Sequence, residues 1–340
     1  MAQEALGYQS LLVRYIRQGG LVETQDNDGD SWVHWAQAES VRRAKLCGFS
    51  FLSMLRAILI LQRHSCSTEA LIHVIFWSDI LVGLQSIAFG SLPVLLGRDI
   101  GLRLPTSCAE WLASGQEVWI SERQRALELT PMPLALRRLL QQQPADVCED
   151  ALPLTSPFGN YILIHALHQQ IYYARQLGGP FGSAAVDERM IEDLESALDL
   201  WKCGWEKAPE SVLNLKNSRD SLSFAATALL GLAHVRLHFD LGAHAALQTC
   251  DPEAIASAAL QAPLPELGDG LKHALLHAVH AINVPVQLGL ENMARSQMFY
   301  WSVTHAVCDL ECAIFLSKWL RALSIRIGER LLTCMDFPCH

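Results

Sequence analysis

Two groups of histidines carry the clearest hint of chemistry in this chain. His234 and His238 stand four residues apart, and His273, His277 and His280 follow one another at intervals of four and three. On a helix each group falls on one face, the second within about 60° of arc when every residue advances about 100°. Opposite that second group lies the apolar stripe Leu271, Leu275, Val279 and Ile282, so the histidine face meets either solvent or a polar cavity. Imidazoles four apart can ligate zinc or another transition ion, but a catalytic zinc site needs a third ligand and orienting partners. Asp240 and His244 are near enough along the chain to supply one, although nothing in the spacing compels it. The first reading of these histidines is structural, a small-molecule cavity comes second, and a metal third. No metal site and no cofactor are therefore assigned.

A second candidate lies near the C-terminus, where His305 and Asp309 stand four apart. A histidine beside a carboxylate can act as a general base when both line a cleft. Cys308 beside His305 offers a nucleophile and base in outline, but no oxyanion motif or nucleophile turn accompanies them. Trp301, His305, Cys308, Cys312, Phe315 and Trp319 alternate at four and three, the spacing of a packed helical seam. Core is the plainer reading. Gly178-Gly179-Pro180 lacks the lysine and the strand context of a phosphate loop. The terminal Cys334, Cys339 and His340 are not spaced as a zinc finger requires.

The elements that must position these residues are helices nearly throughout, with strand signals scarce. Asp30-Ser31 offers an N-cap to a helix carrying Trp32, Trp35 and Glu39 and ending before Gly48. Leu102 to Gln143 is rich in proline and glutamine, and Pro144 to Pro157 holds three prolines and reads as a linker or long loop. Beyond it come an apolar helix from Asn160 to Leu177, an amphipathic one capped by Asp187 and running to about Lys207, and a helix apolar on nearly every side from Ser221 to Leu241. Asp251-Pro252-Glu253 is a strong start signal. Leu271 to Val284 is expected to stop at Pro285, and Leu290 to about Ile327 forms one long helix or two joined ones. The expectation is an all-α, multi-helix array: an N-terminal part over 1–143, a linker over 144–157 and a C-terminal part over 158–340, packed as one unit.

Composition narrows the function. A chain of 340 residues that is 51% hydrophobic and 18% charged can bury a large core. Its 26 basic and 35 acidic residues leave a formal charge of −9, which gives no general attraction to phosphate and makes direct nucleic-acid binding a poor expectation. The ten cysteines are scattered singly, as in a reducing compartment. No basic region followed by an apolar run opens the chain, so no secretory signal is read and an intracellular location is expected. Ala70 to Leu96 is long enough to span a bilayer, but Asp79 near its middle costs roughly 2.5–3.5 kcal/mol there, and a buried helix is the better reading.

Three groups of residues in order then stand out. The first is Trp32-x-x-Trp35-x-x-x-Glu39-Ser40-x-Arg42-Arg43. The second is Leu102-x-Leu104-Pro105 followed by Trp111 and Trp119. The third runs from Ile282-x-x-Pro285-Val286-x-Leu288-Gly289 through Trp301-Ser302-x-x-His305-x-x-Cys308 to Leu316-Ser317-Lys318-Trp319-Leu320. Together they resemble the regulatory, or middle homology, region of fungal zinc-finger transcription factors, and the third looks like the subfamily with two-cysteine, two-histidine fingers. The resemblance covers nearly the whole chain, from about Trp32 to Leu320. It implies a helical regulatory domain.

Family members usually carry a zinc-binding DNA reader upstream, whereas this chain opens almost directly before the Trp32 group. Residues 53–76 form a longer connection than that family's pattern suggests, and read either as an insertion or as an imperfect gene model. In physical terms the shared tryptophans and leucines hold a helical core together, and Glu39 with Arg43 makes a surface or partly buried i,i+4 ion pair, worth about 0.3–0.5 kcal/mol if exposed. Trp32, Trp35 and Trp301 are the candidates for lining a ligand cavity.

Two functions are expected from this reading. The first is a regulatory or effector domain, nuclear, acting through protein partners and a hydrophobic small molecule held among helices, without binding nucleic acid or membrane by itself. The second is a free-standing, transcription-factor-like enzyme of secondary metabolism, cytoplasmic and independent of cofactors, that cyclises or dehydrates an apolar intermediate. His234, His238, His273, His277, His305 and Asp309 would then move protons while tryptophans shape the pocket.

Overall fold

A computed structural model describes residues 14, 17–18, 20–22, 31–51, 95–126, 129–141, 155–177, 188–208, 221–241, 249, 251–289 and 303–335. Among them the regular elements are α-helices: α1 (Trp32–Phe51), α2 (Cys108–Trp111), α3 (Gln116–Arg125), α4 (Met132–Gln141), α5 (Pro157–Leu177), α6 (Glu188–Lys207), α7 (Ser221–His238), α8 (Pro252–Gln261), α9 (Leu271–Leu288) and α10 (Val303–Met335), with one 3-10 turn at Gly97–Asp99. Extended pairing among the described residues is limited to isolated bridges between Val22 and Gly101 and between Arg103 and Pro131. The all-α expectation therefore holds. The long apolar stretch at 70–94, the proposed insertion at 53–76, the loop at 23–30 and most of the 144–157 linker lie outside the described residues. No helix among the described residues is long and apolar enough to cross a membrane.

Helix α5 is the axle of the array. Ile162, Leu163, Ile164, Ala166, Leu167 and Ile171 are all buried on it, which suits a helix enclosed on several sides. It packs against α1, α4, α6 and α7. Met132, Ala135, Leu136 and Leu139 of α4, Leu194, Leu198 and Trp201 of α6, and Leu229 and Leu232 of α7 join it in one cluster that also takes in Leu46, Leu95, Ile100, Leu102, Leu104 and Cys308. At about 1.5–3 kcal/mol for each large apolar side chain buried, this cluster is the main source of stability. A second cluster joins Val235 and Phe239 of the α7 end to Leu271, Ala274 and Ala278 of α9 and Cys312 and Phe315 of α10.

Polar groups tie the pieces together. The Ser156 hydroxyl accepts from the Gly159 amide at 3.2 Å, capping α5, and donates to the Pro105 carbonyl at 3.1 Å. Pro157 follows as the first helical residue, so the last residues of the presumed linker build the start of α5. Trp201 donates its indole N–H to the Asn160 carbonyl at 3.0 Å. Lys318 of α10 donates to the carbonyls of Leu260 and Ala262 at 2.8 and 2.6 Å, closing the end of α8.

One position in this cap is sterically full. A β-carbon on Gly159 would sit 2.0 Å from the Thr155 hydroxyl oxygen and 3.0 Å from Thr155 Cβ. Gly159→Ala is expected to destabilise the fold by about 1–3 kcal/mol. Adding Thr155→Ala should recover part of that loss, read as a partial return of the urea midpoint. Two changes whose effects simply add would show that the crowding is not the cause.

Several boundaries differ from the sequence expectation. Helix α1 continues past Gly48 to Phe51, and the Pro- and Gln-rich stretch from Leu102 to Gln141 folds into α2, α3 and α4. Helix α9 does not stop at Pro285: proline stands inside it, and the Gly289 amide closes the last turn on the Pro285 carbonyl at 3.1 Å. A proline removes one helical donor, and here the three residues beyond it still fit a final turn before Gly289 takes φ +80°.

Candidate functional site

Polar side chains of α6, α7 and α9 meet in one cluster. Gly231, one turn before His234, leaves α7 without a side chain where α9 passes, and a β-carbon there would lie 3.7 Å from His277 Cβ. That approach lets the His277 ring stack flat on His234, with centroids 4.4 Å apart and planes 6° apart. His273, one turn earlier on α9, meets the same ring edge-on at 5.9 Å. From α6, Glu195 reaches across to His238, whose Nε2 donates to Glu195 Oε1 at 2.9 Å. Room for His238 comes from Gly270, since a β-carbon there would stand 3.3 Å from His238 Cε1.

Four of the histidines picked out by spacing, His234, His238, His273 and His277, thus come together in space, and a carboxylate joins them. Glu195 is the residue that spacing missed. It sits on an amphipathic helix among Glu192, Asp193 and Asp199, and nothing local separates it from its exposed neighbours. Asp240, suggested as a third ligand, is not in the group, and His244 lies outside the described residues. His273 and His280 are exposed while His277 is half-buried, so the histidine face of α9 spans solvent and cluster together. The opposite stripe is corrected too: Val279 is exposed, and the buried side of α9 is carried by Leu271, Ala274 and Ala278. Alanines win those places because only small side chains allow the close packing against α7 and α10.

Electrostatics follow from this burial. His234 is 1% exposed. Burial, then the proximity of His277, His273, His238 and Lys202, pushes it down to about 3. Burial, with Lys202, His280 and His273 beside it, takes His277 to about 4. Both rings are therefore neutral and basic-nitrogen-bearing at physiological pH. Asp199, exposed on its outer side, is moved up from the usual carboxylate range by partial desolvation; His273 and Lys202 oppose this and neighbouring Glu195 adds to it.

The second candidate pair stands elsewhere. His305 is buried and its ring interacts with the Phe224 backbone, ten residues up α7 from His234 and so about 15 Å away along the helix. Burial takes His305 down to about 4 and raises Asp309 to about 7. Cys308 and Cys312 lie beside them in the seam, both fully buried, with Cys308 pushed well above the ordinary thiol range and Cys312 up to about 12 by burial. Such thiols stay protonated, which is the opposite of what a nucleophile needs. His305, Cys308, Cys312 and Phe315 are core, as the seam spacing suggests, while Trp319 is half-buried and Trp301 lies outside the described residues.

The two N-terminal word groups meet in a third polar centre. Trp35 is 1% exposed and packs against Trp119 at 5.4 Å and Trp111 at 6.5 Å between ring centroids; Trp32 is half-buried. Glu39 is fully buried, deeper than the surface or partly buried pair that its spacing from Arg43 suggests. Its Oε1 accepts from Arg43 Nε at 2.8 Å and from the amide and hydroxyl of Thr106 at 3.0 and 3.1 Å, and its Oε2 accepts from Arg42. Arg43 also donates to the Thr106 carbonyl at 3.0 Å and stacks over Trp111, with its guanidinium carbon 4.4 Å from the ring centre. This centre clamps α1 to the Leu104-Pro105 segment, and every polar atom of Glu39 has a partner from the protein itself.

Residues 240–336, just over a quarter of the chain and spanning α8, α9 and α10, match the family model described as the fungal transcription factor C-terminal domain. No curated protein matches the chain. Nor does any solved structure. The matched span holds His273, His277, His305 and Asp309, whereas Glu195, His234 and His238 precede it. The C-terminal part is thus similar to the regulatory part of fungal transcription factors, as the third word group suggests.

Proposed function

We propose that this chain is a regulatory or effector region of a fungal transcription-factor system, acting in the nucleus through protein contacts and through an apolar small molecule held among its helices. The observation that carries the reading is the match of residues 240–336 to the fungal transcription factor C-terminal domain. On this reading the chain is related to the two-cysteine, two-histidine subfamily, and the N- and C-terminal parts work as one unit around α5. Sequence-specific DNA reading is assigned to another segment or chain, because a net charge of −9 opposes unaided contact with phosphates. Leu260, Leu276, Val279 and Val286 are exposed on α8 and α9 and give the matched region apolar surface suited to a protein contact.

The test is deletion of the gene in its host, followed by measurement of transcripts and metabolites together. Coordinated loss of transcripts from a defined gene set is expected. Unchanged transcripts, with accumulation of one precursor that the purified protein converts, would overturn the regulatory reading and establish an enzyme.

A further inference from the structure

The polar cluster where α6, α7 and α9 meet has the donors of a metal site. One ligand atom each from Glu195, His234 and His273 lies within 4.8 Å of the other two, and each comes from a different helix. Ligands held at about 2.0–2.2 Å around a tetrahedral ion stand about 3.3 Å apart, so rotations of these side chains by about an ångström bring them to that geometry. We propose that Glu195, His234 and His273 bind a divalent transition cation of the zinc type, in a three-ligand site whose fourth position stays open.

Two independent features point to a ligand at this place. His234 is buried, yet neither ring nitrogen has a hydrogen-bond partner. An imidazole removed from water with both nitrogens unsatisfied is costly, and coordination of one nitrogen removes that cost. The surroundings also have the form of an outer coordination shell. His238 donates to the Glu195 carboxylate at 2.9 Å, which fixes its orientation, and the parallel His277 ring fixes the plane of His234.

Two imidazoles and a carboxylate without thiolate suit zinc, and also the other nitrogen-preferring divalent ions of the first transition row. Exposure of His273 and partial exposure of Glu195 give the ion a path from solvent and leave one side for water or for a donor atom of a bound molecule. The site requires nothing of the regulatory reading and spans the boundary of the matched region. It would make the packing of α9 against α6 and α7 dependent on metal.

The test uses the full chain, stripped with a chelator and titrated with zinc by calorimetry, then with cobalt by visible absorption. One-to-one zinc binding at micromolar affinity or tighter is expected, with the absorption of tetrahedral cobalt. Glu195→Gln and His273→Ala, both at positions that are not fully buried, should each weaken binding at least 100-fold while circular dichroism stays unchanged. His238→Ala should weaken it about 10–100-fold as an orienting residue, and His280→Ala, exposed on the same helix, should leave it unchanged. No binding at tens of micromolar zinc overturns the proposal. So does binding that survives Glu195→Gln and His273→Ala, as an ion held by the terminal Cys334, Cys339 and His340 would.

Discussion

Glu39→Ala is expected to destabilise the protein by about 3–5 kcal/mol, read as a lowered urea midpoint with an unchanged slope. The carboxylate is fully buried and is the shared acceptor for Arg42, Arg43 and Thr106. Removing it takes from the buried Arg42 and part-buried Arg43 guanidinium groups the carboxylate they share, and from the Thr106 amide its acceptor. Losing a buried counter-charge costs more than the pair itself contributes, because the pair's attraction is largely offset by desolvation of both ions. The double change Glu39→Leu with Arg42→Met should therefore be milder than Glu39→Ala alone. Equal losses in the two would show that packing, and not the lost counter-charge, governs the site.

The same centre shows what the sequence could and could not disclose. Helical periodicity in Trp32, Trp35, Glu39 and Arg43 is legible, and so is the recurrence of tryptophan in the Leu104-Pro105 group. Their meeting is not: Thr106 lies 67 residues from Glu39, and an i,i+4 acid–base pair has the same spacing on a solvated face as in a core. Spacing alone therefore does not tell a surface pair from one whose removal strands buried groups. The histidine cluster repeats the lesson. Periodicity places His234 with His238 and His273 with His277, since each pair shares one helix face. Bringing the two helices together needs Gly231, and completing the cluster needs Glu195 from a helix whose acidic residues look alike in sequence. Elements with buried faces, α5 and α7 above all, were the most legible, because an apolar helix has few places to go. Pro285 was misleading because the rule that proline ends helices assumes the interior of a long helix, and here only one further turn follows it.

Acid should unfold this protein unusually early. His165, His168 and His305 are buried in the core, and burial takes His165 down to about 3, His305 to about 4 and His168 well below its ordinary range, with nearby Arg236 and His165 adding to the last. In the unfolded chain these rings take up protons near pH 6.5, whereas in the fold they stay neutral. Below pH 6.5 the unfolded state thus binds more protons, and stability falls as pH falls. By pH 5.5 each ring has lost the fold about 1.4 kcal/mol, so the three together lose about 4 kcal/mol relative to pH 8, and His234 and His277, held down to about 3 and about 4, add to that loss. Asp309 works in the other direction. Burial raises it to about 7, so its charged form penalises the fold above that pH and the penalty is relieved as pH drops through it. One half-exposed carboxylate against five depressed histidines leaves the net direction set by the histidines. Urea midpoints measured from pH 8 to pH 5 should stay level down to about 7 and then decline. Asp309→Asn should raise the midpoint at pH 8 and steepen the decline, while His305→Leu, which removes one of five depressed histidines, should make it shallower by about a fifth. A midpoint that does not move between pH 7.5 and 5.5 would show that these histidines find acceptors for a second proton in the fold, and that the core around α5 is wetter than its burial indicates.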